Sequence, residues 1–155
     1  LNFNDQIDVG IMIEVPSSAV LAHKLAKYID FFSIGTNDLV QYTLAIDRVD
    51  DQVNYLYNPM NSAVLTLIKM TIDAGLKNEI PVSLCGEMAG DPNYTKLLLG
   101  MGLKSFSMHP SALPEVKNIM LSTDVLKIKK LTSQIINCDT SSEKSKLLKR
   151  LNKTN

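Results

Sequence analysis

The stretch FFSIGTND, residues 31–38, is an apolar run that ends in Gly35, a small polar pair and Asp38. Three other short apolar runs also end in a side chain capable of chemistry: GIMI before Glu14, PVSL before Cys85 and SFSM before His109. Stretches with helical spacing of apolar residues lie between the runs. Buried strands alternating with helices, with polar groups at the strands' carboxyl ends, are typical of α/β barrels and open α/β sheets with an active site.

The pattern predicts an α/β fold built from four strand–helix units. Strands are expected at 9–14, 30–35, 81–85 and 104–108, and the main helices at 17–28, 61–77, 92–100 and 111–121. Ser17 or Ser18 is the predicted cap of the first helix, and Asn61 or Ser62 that of the second. Such an array favours a parallel sheet with right-handed crossovers. An eight-unit barrel takes ~250 residues, so four units predict the second half of a TIM-type (β/α)8 barrel, with further helices at the C-terminus.

Composition and charge narrow the class of protein. The chain is 45% hydrophobic and 21% charged, as in ordinary globular proteins, and no apolar run reaches the ~18 residues of a membrane span. A cytoplasmic location is the default expectation. Cys85 and Cys138 are far apart and have no metal-ligand spacing, so reduced thiols are expected.

The C-terminal tail differs in charge from the rest of the chain. Residues 1–123 hold 8 Lys or Arg against 13 Asp or Glu, whereas residues 124–155 hold 8 against 3. A basic tail can bind nucleic acid or an acidic membrane, but these cations alternate with Leu and Ile at helical spacing. The tail is therefore predicted to be amphipathic helix with a solvated basic face, without a nucleic-acid or membrane partner. The predicted division is a half barrel at 1–123 and a helical basic tail at 124–155.

Two carboxylates form the first candidate site. Glu14 and Asp38 each follow a buried strand, where an unpaired charge is unfavourable. On consecutive parallel strands they can point into one pocket, and oxygen-only ligands suit Mg²⁺ or Mn²⁺. The alternative is that each carboxylate merely caps the following helix.

Candidate ligand-binding residues follow the second strand. Asn37 lies where backbone amides at a helix start favour anions, and Gly35 lets a ligand approach the backbone closely. Arg48, in a polar loop at 47–61 long enough to be functional, could hold a phosphate or carboxylate through two parallel hydrogen bonds. A solvated arginine is the alternative.

Cys85 precedes Gly86 at the end of the third strand. A thiol at the rim of a polar pocket can donate a proton or act as a nucleophile, with Glu87 adjusting its protonation. A small core residue is the alternative. His23 and His109 have no visible nucleophile partner in the sequence.

Taken together, these segments resemble the phosphoenolpyruvate-utilising enzymes. The resemblance rests on GIMIE at 10–14, FFSIGTNDL at 31–39 and CGEMAGD at 85–91, and covers about residues 8–121. The finer resemblance is to the Enzyme I group of the bacterial sugar phosphotransferase system, through QYTLAIDR at 41–48 and CGEMA at 85–89, where the related dikinases tend to have CGEHG.

The resemblance implies a function for each candidate residue. Glu14 and Asp38 would hold Mg²⁺, Asn37 and Arg48 would contact the phosphate of phosphoenolpyruvate, and Cys85 would protonate the enolate carbon to give pyruvate. Positioning together with cations that neutralise developing charge is the usual means of catalysing phosphoryl transfer.

The chain also departs from the resembling family. The phosphate-binding arginines of the first barrel half and the phosphorylated histidine have no counterpart here. The predicted function is therefore a C-terminal part of a phosphoenolpyruvate–protein phosphotransferase. The intact enzyme would supply the histidine domain and pass phosphate to a phosphocarrier protein, and the chain alone would be inactive.

Two alternatives accompany this prediction. The chain could act only as an assembly module, because half a barrel leaves unpaired sheet edges that seek partners. A homodimer is expected on either hypothesis, since the resembling enzymes dimerise through this domain. The chain could instead belong to a pyruvate phosphate dikinase or phosphoenolpyruvate synthase, which the YTLAIDR and MAGD segments disfavour.

Overall fold

The computed structural model, which describes residues 4–154, contains a four-stranded parallel sheet. The strands lie side by side in chain order: β1 Gly10–Ile13, β2 Phe31–Gly35, β3 Val82–Cys85 and β4 Ser105–Phe106. The α/β class and the four parallel strands are confirmed. The fourth strand is shorter than predicted, although Ser107 N donates to Leu84 O at 2.9 Å and continues the pairing by one hydrogen bond.

The register separates the sheet into two chemically different faces. Met12 pairs with Ser33, Ser33 with Ser83, and Ser83 with Ser105, so these side chains form one row. The next row holds Ile13, Ile34, Leu84 and Phe106 and faces the helices. We call the helix-packed side the covered face. The side that carries Met12, Ser33 and Cys85 is the open face.

The helices form a layer on the covered face. Their bounds are α1 Pro16–Val20, α2 Ala22–Leu25, α3 Thr36–Leu44, α4 Ser62–Asn78, α5 Glu87–Gly90, α6 Pro92–Met101, α7 Leu113–Ser122, α8 Val125–Ile136 and α9 Ser141–Asn152. As predicted, Asn61 caps α4 by accepting a hydrogen bond from Ala63 N at 2.9 Å. Asp91 caps α6 in the same way, and Pro92 occupies its first turn.

The first predicted helix differs in its start and its continuity. Neither Ser17 nor Ser18 is the cap: Val15 occupies that position, because Pro16 already has the backbone angle of a first helical residue. The Ser18 hydroxyl instead donates to Val15 O at 2.7 Å. The helix is interrupted at Leu21, which separates α1 from α2.

The C-terminal segment is helical and packs on the rest of the molecule. Ile128 and Ile135 of α8 and Leu151 of α9 are buried in the same core as the sheet. Its basic face is solvated with one exception, because Lys144 is buried. No helix among residues 4–154 has the length and apolar character needed to cross a membrane.

Candidate active site at the carboxyl ends of the strands

A cleft of about 650 Å³ opens beyond the carboxyl ends of β2, β3 and β4. Asn37, Cys85 and His109 line it, together with Glu87 and Asp91 from the turn and helix that follow β3. Parallel strands bring the residues after them to one edge of the sheet. The structure thus brings the predicted residues Asn37 and Cys85 into one cleft.

The Cys85 thiol lies on the open face, half-buried at the edge of this cleft. Its sulfur is 3.9 Å from both Ser33 Oγ and Met12 Sδ, and 3.5 Å from Ile34 O. Cys85 and Cys138 are both free thiols. Because Cys85 has only weak partners and faces the cleft, its proton is available to a bound molecule.

Asn37 is fixed by the turn that follows Cys85. Its Oδ1 accepts a hydrogen bond from Glu87 N at 3.0 Å. Gly86 makes this approach possible, since a β-carbon there would lie 2.8 Å from the same oxygen and Gly86 has φ of +91°. With Oδ1 engaged, the side-chain NH₂ of Asn37 remains as a donor for a ligand.

Thr36 fixes the same turn from the other side of Asn37. Its hydroxyl donates to Cys85 O at 2.7 Å. This bond and that between Asn37 and Glu87 each join residues about fifty positions apart in sequence. The end of β2 therefore sets the position of the Cys85–Glu87 turn, and Thr36 is a positioning residue that the sequence analysis did not identify.

Glu14 lies over Gly35, next to the start of α3. Its Oε2 is 3.1 Å from the place where a β-carbon of Gly35 would be, and Met12 Sδ, which also contacts Cys85, is 3.2 Å from that place. Glu14 and Cys85 thus lie on the same side of the sheet, joined through Met12. Asp38 is in the first turn of α3, where the helix dipole favours a negative charge.

The two candidate carboxylates have no protein partner. Within residues 4–154, neither Glu14 nor Asp38 accepts a hydrogen bond or forms an ion pair. Both side chains are partly buried. No three His, Cys, Asp or Glu side chains in the same range form a group able to hold a metal, so an ion here would have at most two such ligands from the described residues.

Tyr57 lies among the charged residues of this edge. Burial raises the pKa of its phenol, and the negative charges of Glu87 and Asp38 raise that pKa further, whereas the positive charge of Arg48 lowers it. Arg48, Asp38 and the cleft residue Glu87 thus all act on the Tyr57 phenol. Tyr57 was missed in the sequence because an irregular loop has no periodicity from which its packing can be predicted.

Arg48 and His109 differ in how they are held. The Arg48 side chain is exposed, and its backbone N donates to Gln41 Oε1 at 3.3 Å. His109 Nδ1 is 2.8 Å from Ser111 Oγ and accepts from Ser111 N at 3.3 Å, which leaves Nε2 as the free ring nitrogen. His23 lies on α2, outside the cleft.

The sequence model of a family described as PEP-utilising enzyme, PEP-binding domain, matches residues 1–125. This chain belongs to the phosphoenolpyruvate-utilising enzyme family. The match begins before β1 and ends at the start of α8, so it includes every strand and every residue of the cleft. The sequence-based assignment to this family is confirmed.

Individual members of the phosphoenolpyruvate-utilising enzymes agree with the family match. A phosphoenolpyruvate-protein phosphotransferase of Buchnera aphidicola subsp. Baizongia pistaciae is 52% identical over 86% of this chain and 23% of its own length. The proteins of the same name from Listeria monocytogenes and Mycoplasma capricolum are 46% and 42% identical over 95% and 96% of this chain, and 26% of their own lengths. The chain thus spans about a quarter of the curated relatives that it matches.

Proposed function

We propose that this chain is the part of a phosphoenolpyruvate–protein phosphotransferase that binds phosphoenolpyruvate. The observation that supports the proposal is the carboxyl edge of the sheet, where the oriented amide of Asn37 and the thiol of Cys85 line one cleft. Glu14 and Asp38, which lack hydrogen-bond and ion-pair partners within residues 4–154, follow the neighbouring strands β1 and β2. The names of the relatives support this enzyme over a dikinase or a synthase. We further propose that the four strands form half of a (β/α)8 barrel in a cytoplasmic protein.

Glu14 and Asp38 are the residues that we assign to Mg²⁺. Their fit to a hard cation rests on the absence of protein donors to either carboxylate within residues 4–154. Mg²⁺ is commonly bound through one or two carboxylates, with water and substrate oxygens completing its octahedron. When bound, the ion would neutralise negative charge on the transferring phosphoryl group.

Asn37 and Arg48 would bind the phosphate. The Asn37 amide is already oriented by Glu87 N, so little rotamer freedom is lost when its NH₂ donates to a phosphate oxygen. Arg48 has an exposed guanidinium, which can bind phosphate through two parallel hydrogen bonds. Together they would fix the phosphoryl group relative to the attacking histidine, which we place on another domain of the intact enzyme.

Cys85 would complete the reaction after the phosphoryl group has left. Breaking the bond between phosphorus and the enol oxygen leaves the enolate of pyruvate on the enzyme. The Cys85 thiol would transfer its proton from Sγ to the terminal carbon, which gives pyruvate and a thiolate that is reprotonated from solvent. The phosphohistidine would then pass the phosphoryl group to the phosphocarrier protein of sugar uptake.

The experiment that tests this proposal is the turnover of the intact phosphotransferase with Glu14→Gln or Asp38→Asn. Loss of a charge-stabilising group at a reacting centre is expected to lower turnover by about 10²–10³-fold. Asp73→Asn is the control, because Asp73 is an exposed residue of α4 that pairs with Lys69 outside the cleft. Turnover that stays unchanged in both site variants would remove these carboxylates from the mechanism.

A second candidate function is self-assembly, favoured by the open face of the sheet. Parallel sheets are normally covered on both sides, whereas Met12 on this face is 46% exposed. On this proposal the chain is a dimerisation module. Analytical ultracentrifugation of the 155-residue chain gives its oligomeric state, and a titration with phosphoenolpyruvate and Mg²⁺ gives its ligand binding. A monodisperse monomer that binds phosphoenolpyruvate contradicts the module, whereas self-association without binding supports it.

A further inference from the structure

A second groove, of about 340 Å³, lies between α9 and the starts of α4 and α6. The α9 groove, as we call it, is lined by Met60, Asn93, Tyr94, Lys144, Leu148 and Lys149, among others. It shares no lining residue with the cleft that contains Cys85. Its volume is within the range of pockets that bind small molecules.

Lys144 is an uncompensated buried cation in the wall of this groove. Its side chain is 4% exposed, and its ammonium donates to Met60 O at 3.3 Å and to the Ser62 hydroxyl. Both acceptors are neutral, and no carboxylate pairs with Lys144 in the described part of the chain. A buried charge without a counter-charge is unfavourable.

The local helix dipole makes the position of Lys144 less favourable still. Ser62 is the first residue of the 17-residue helix α4, so the Lys144 ammonium lies at the positive end of that helix. Asn93, in the first turn of α6, and Ser141, the first residue of α9, also line the groove. The starts of α6 and α9 and two lysines therefore line one space, and Lys144 links that space to the start of α4.

Lys96 provides a matched comparison. It is also buried, at 7% exposure, but its ammonium donates to Asn152 O at 3.1 Å and Thr154 O at 2.6 Å. These carbonyls are at the carboxyl end of α9, where the dipole favours a cation. The burial of Lys96 is thus explained by the fold, whereas that of Lys144 is not.

The remaining wall of the groove fits an organic anion. Within residues 4–154, no Asp or Glu lines it; neighbouring Asp91 is engaged as the cap of α6. Met60, Tyr94 and Leu148 supply an apolar surface beside the cations. The arrangement combines positive charge, hydroxyl and amide donors with a place for a small apolar body.

We propose that the α9 groove binds a small phosphorylated molecule, with its phosphate at Lys144 and Lys149 and its organic part against Met60, Tyr94 and Leu148. A phosphate supplies the negative charge that Lys144 lacks, and it accepts several hydrogen bonds at once. Helix amino termini are established places for such groups. This site is separate from the one proposed for phosphoenolpyruvate and does not depend on it.

The test is a titration of the 155-residue chain with phenyl phosphate, followed by amide chemical shifts in NMR spectra. It is run with Arg48→Ala to remove the phosphate contact proposed in the cleft. Saturable shifts at Asn93 and Ser145 are expected, whereas shifts confined to the Cys85–Glu87 turn would overturn the proposal. The same titration with benzoate tests a carboxylate in place of the phosphate. Benzoate that binds as tightly as phenyl phosphate would overturn the assignment to phosphate.

Two lysine variants and one control define the site. Lys149→Met should weaken binding about fivefold, as expected for a partly exposed charge, whereas Lys146→Met, on α9 but outside the groove, should change nothing. Lys144→Met should abolish binding, because it removes the cation that the phosphate is proposed to contact. Equal effects of the Lys149 and Lys146 variants would contradict the proposal, even if the Lys144 variant does not fold.

Discussion

The two faces of the sheet differ in chemistry although they are built from the same four strands. On the covered face Ile13, Ile34 and Leu84 are completely buried under helices. On the open face the paired row is Met12, Ser33, Ser83 and Ser105, and Cys85 follows it at the carboxyl edge. One face is a closed hydrophobic core, whereas the other carries three serines, Met12, Cys85 and the partly exposed ring of Phe31.

Because the two faces differ, the residues of each strand that stabilise the fold are different from those available for binding or catalysis. Successive side chains point to opposite sides, so each strand can contribute one residue to the core and the next to the open face. Apart from Arg48, which follows α3, every residue proposed to touch phosphoenolpyruvate lies at the carboxyl edge or in the turns beyond it. Substitutions on the covered face should therefore act on folding, and those at the carboxyl edge on binding.

Phe31 and Phe32 provide the strongest test, because they are adjacent in β2 and point to opposite faces. Phe32 is 0% exposed, and truncation of a buried phenylalanine removes its contacts and leaves a cavity. Phe32→Ala is therefore expected to lower the free energy of unfolding by about 3–5 kcal/mol. Urea denaturation, followed by circular dichroism, measures the loss as a lower midpoint at unchanged slope.

Phe31→Ala is the matched control. Its ring is 36% exposed and lies across Gly10 on the open face. The expected loss is about 1 kcal/mol, since only part of the ring leaves water on folding. Equal losses in the two variants would contradict the comparison and would show that the open face is as well packed as the covered one. Repeating the measurement at two protein concentrations would then reveal whether a second copy covers it.

Substitution of two glycines with positive φ compares the backbone strain at the carboxyl edge with that among the helices. Gly86 has φ of 91° and ψ of −176°, a region almost restricted to glycine, and a β-carbon there would lie 2.5 Å from Thr36 Oγ1. Gly86→Ala is expected to destabilise by about 1–3 kcal/mol. It should also shift the Glu87 amide resonance, because the hydrogen bond to Asn37 must move.

Gly102→Ala is the corresponding change in the helical layer. Gly102 ends α6 with φ of 103°, but its nearest neighbours would be side-chain carbons of Leu76 at 3.3 Å and Ile72 at 3.4 Å. The expected loss is about 1 kcal/mol, without a shift at Glu87. If the two variants lost the same stability and left the Glu87 amide unchanged, the turn after Cys85 would not be the strained, closely packed element described here.

The strands could be predicted from sequence because each is a short apolar run with a polar end. Four such runs separated by helical segments leave few topologies, and the parallel order follows from the handedness of the crossovers. The same argument brings Asn37 and Cys85 to one edge. The sequence pattern thus predicts at which strand end each candidate site residue lies.

The hydrogen bonds that orient those residues could not be predicted in the same way. The bonds from Thr36 to Cys85 O and from Glu87 N to Asn37 join separate loops, and no local pattern encodes them. Tyr57 and Lys144 were missed for a related reason. The burial of Tyr57 depends on how an irregular loop packs, and that of Lys144 on how a C-terminal helix packs. A lysine in a basic amphipathic segment is therefore predicted to be solvated, although Lys144 is buried.

The smallest predicted effect is a pH dependence that distinguishes Tyr57 from an exposed tyrosine of the same loop. Burial raises the pKa of Tyr57, with Glu87 and Asp38 adding to the increase. An unfolded tyrosine loses its proton near pH ~10, so above that pH the folded state binds more protons than the unfolded state. The free energy of unfolding should therefore fall as pH rises above about 10.

Tyr57→Phe removes this group and should make the fall in stability shallower, although not flat, because burial also raises the pKa of Tyr94. Tyr55→Phe is the control, since Tyr55 lies two residues before Tyr57 in the same loop and is 78% exposed. Arg48→Gln should steepen the fall, because the Arg48 charge lowers the pKa of Tyr57. Urea unfolding between pH ~9 and ~11 measures all three slopes, and an Arg48 variant with the wild-type slope would show that this arginine lies too far from Tyr57 to share its site.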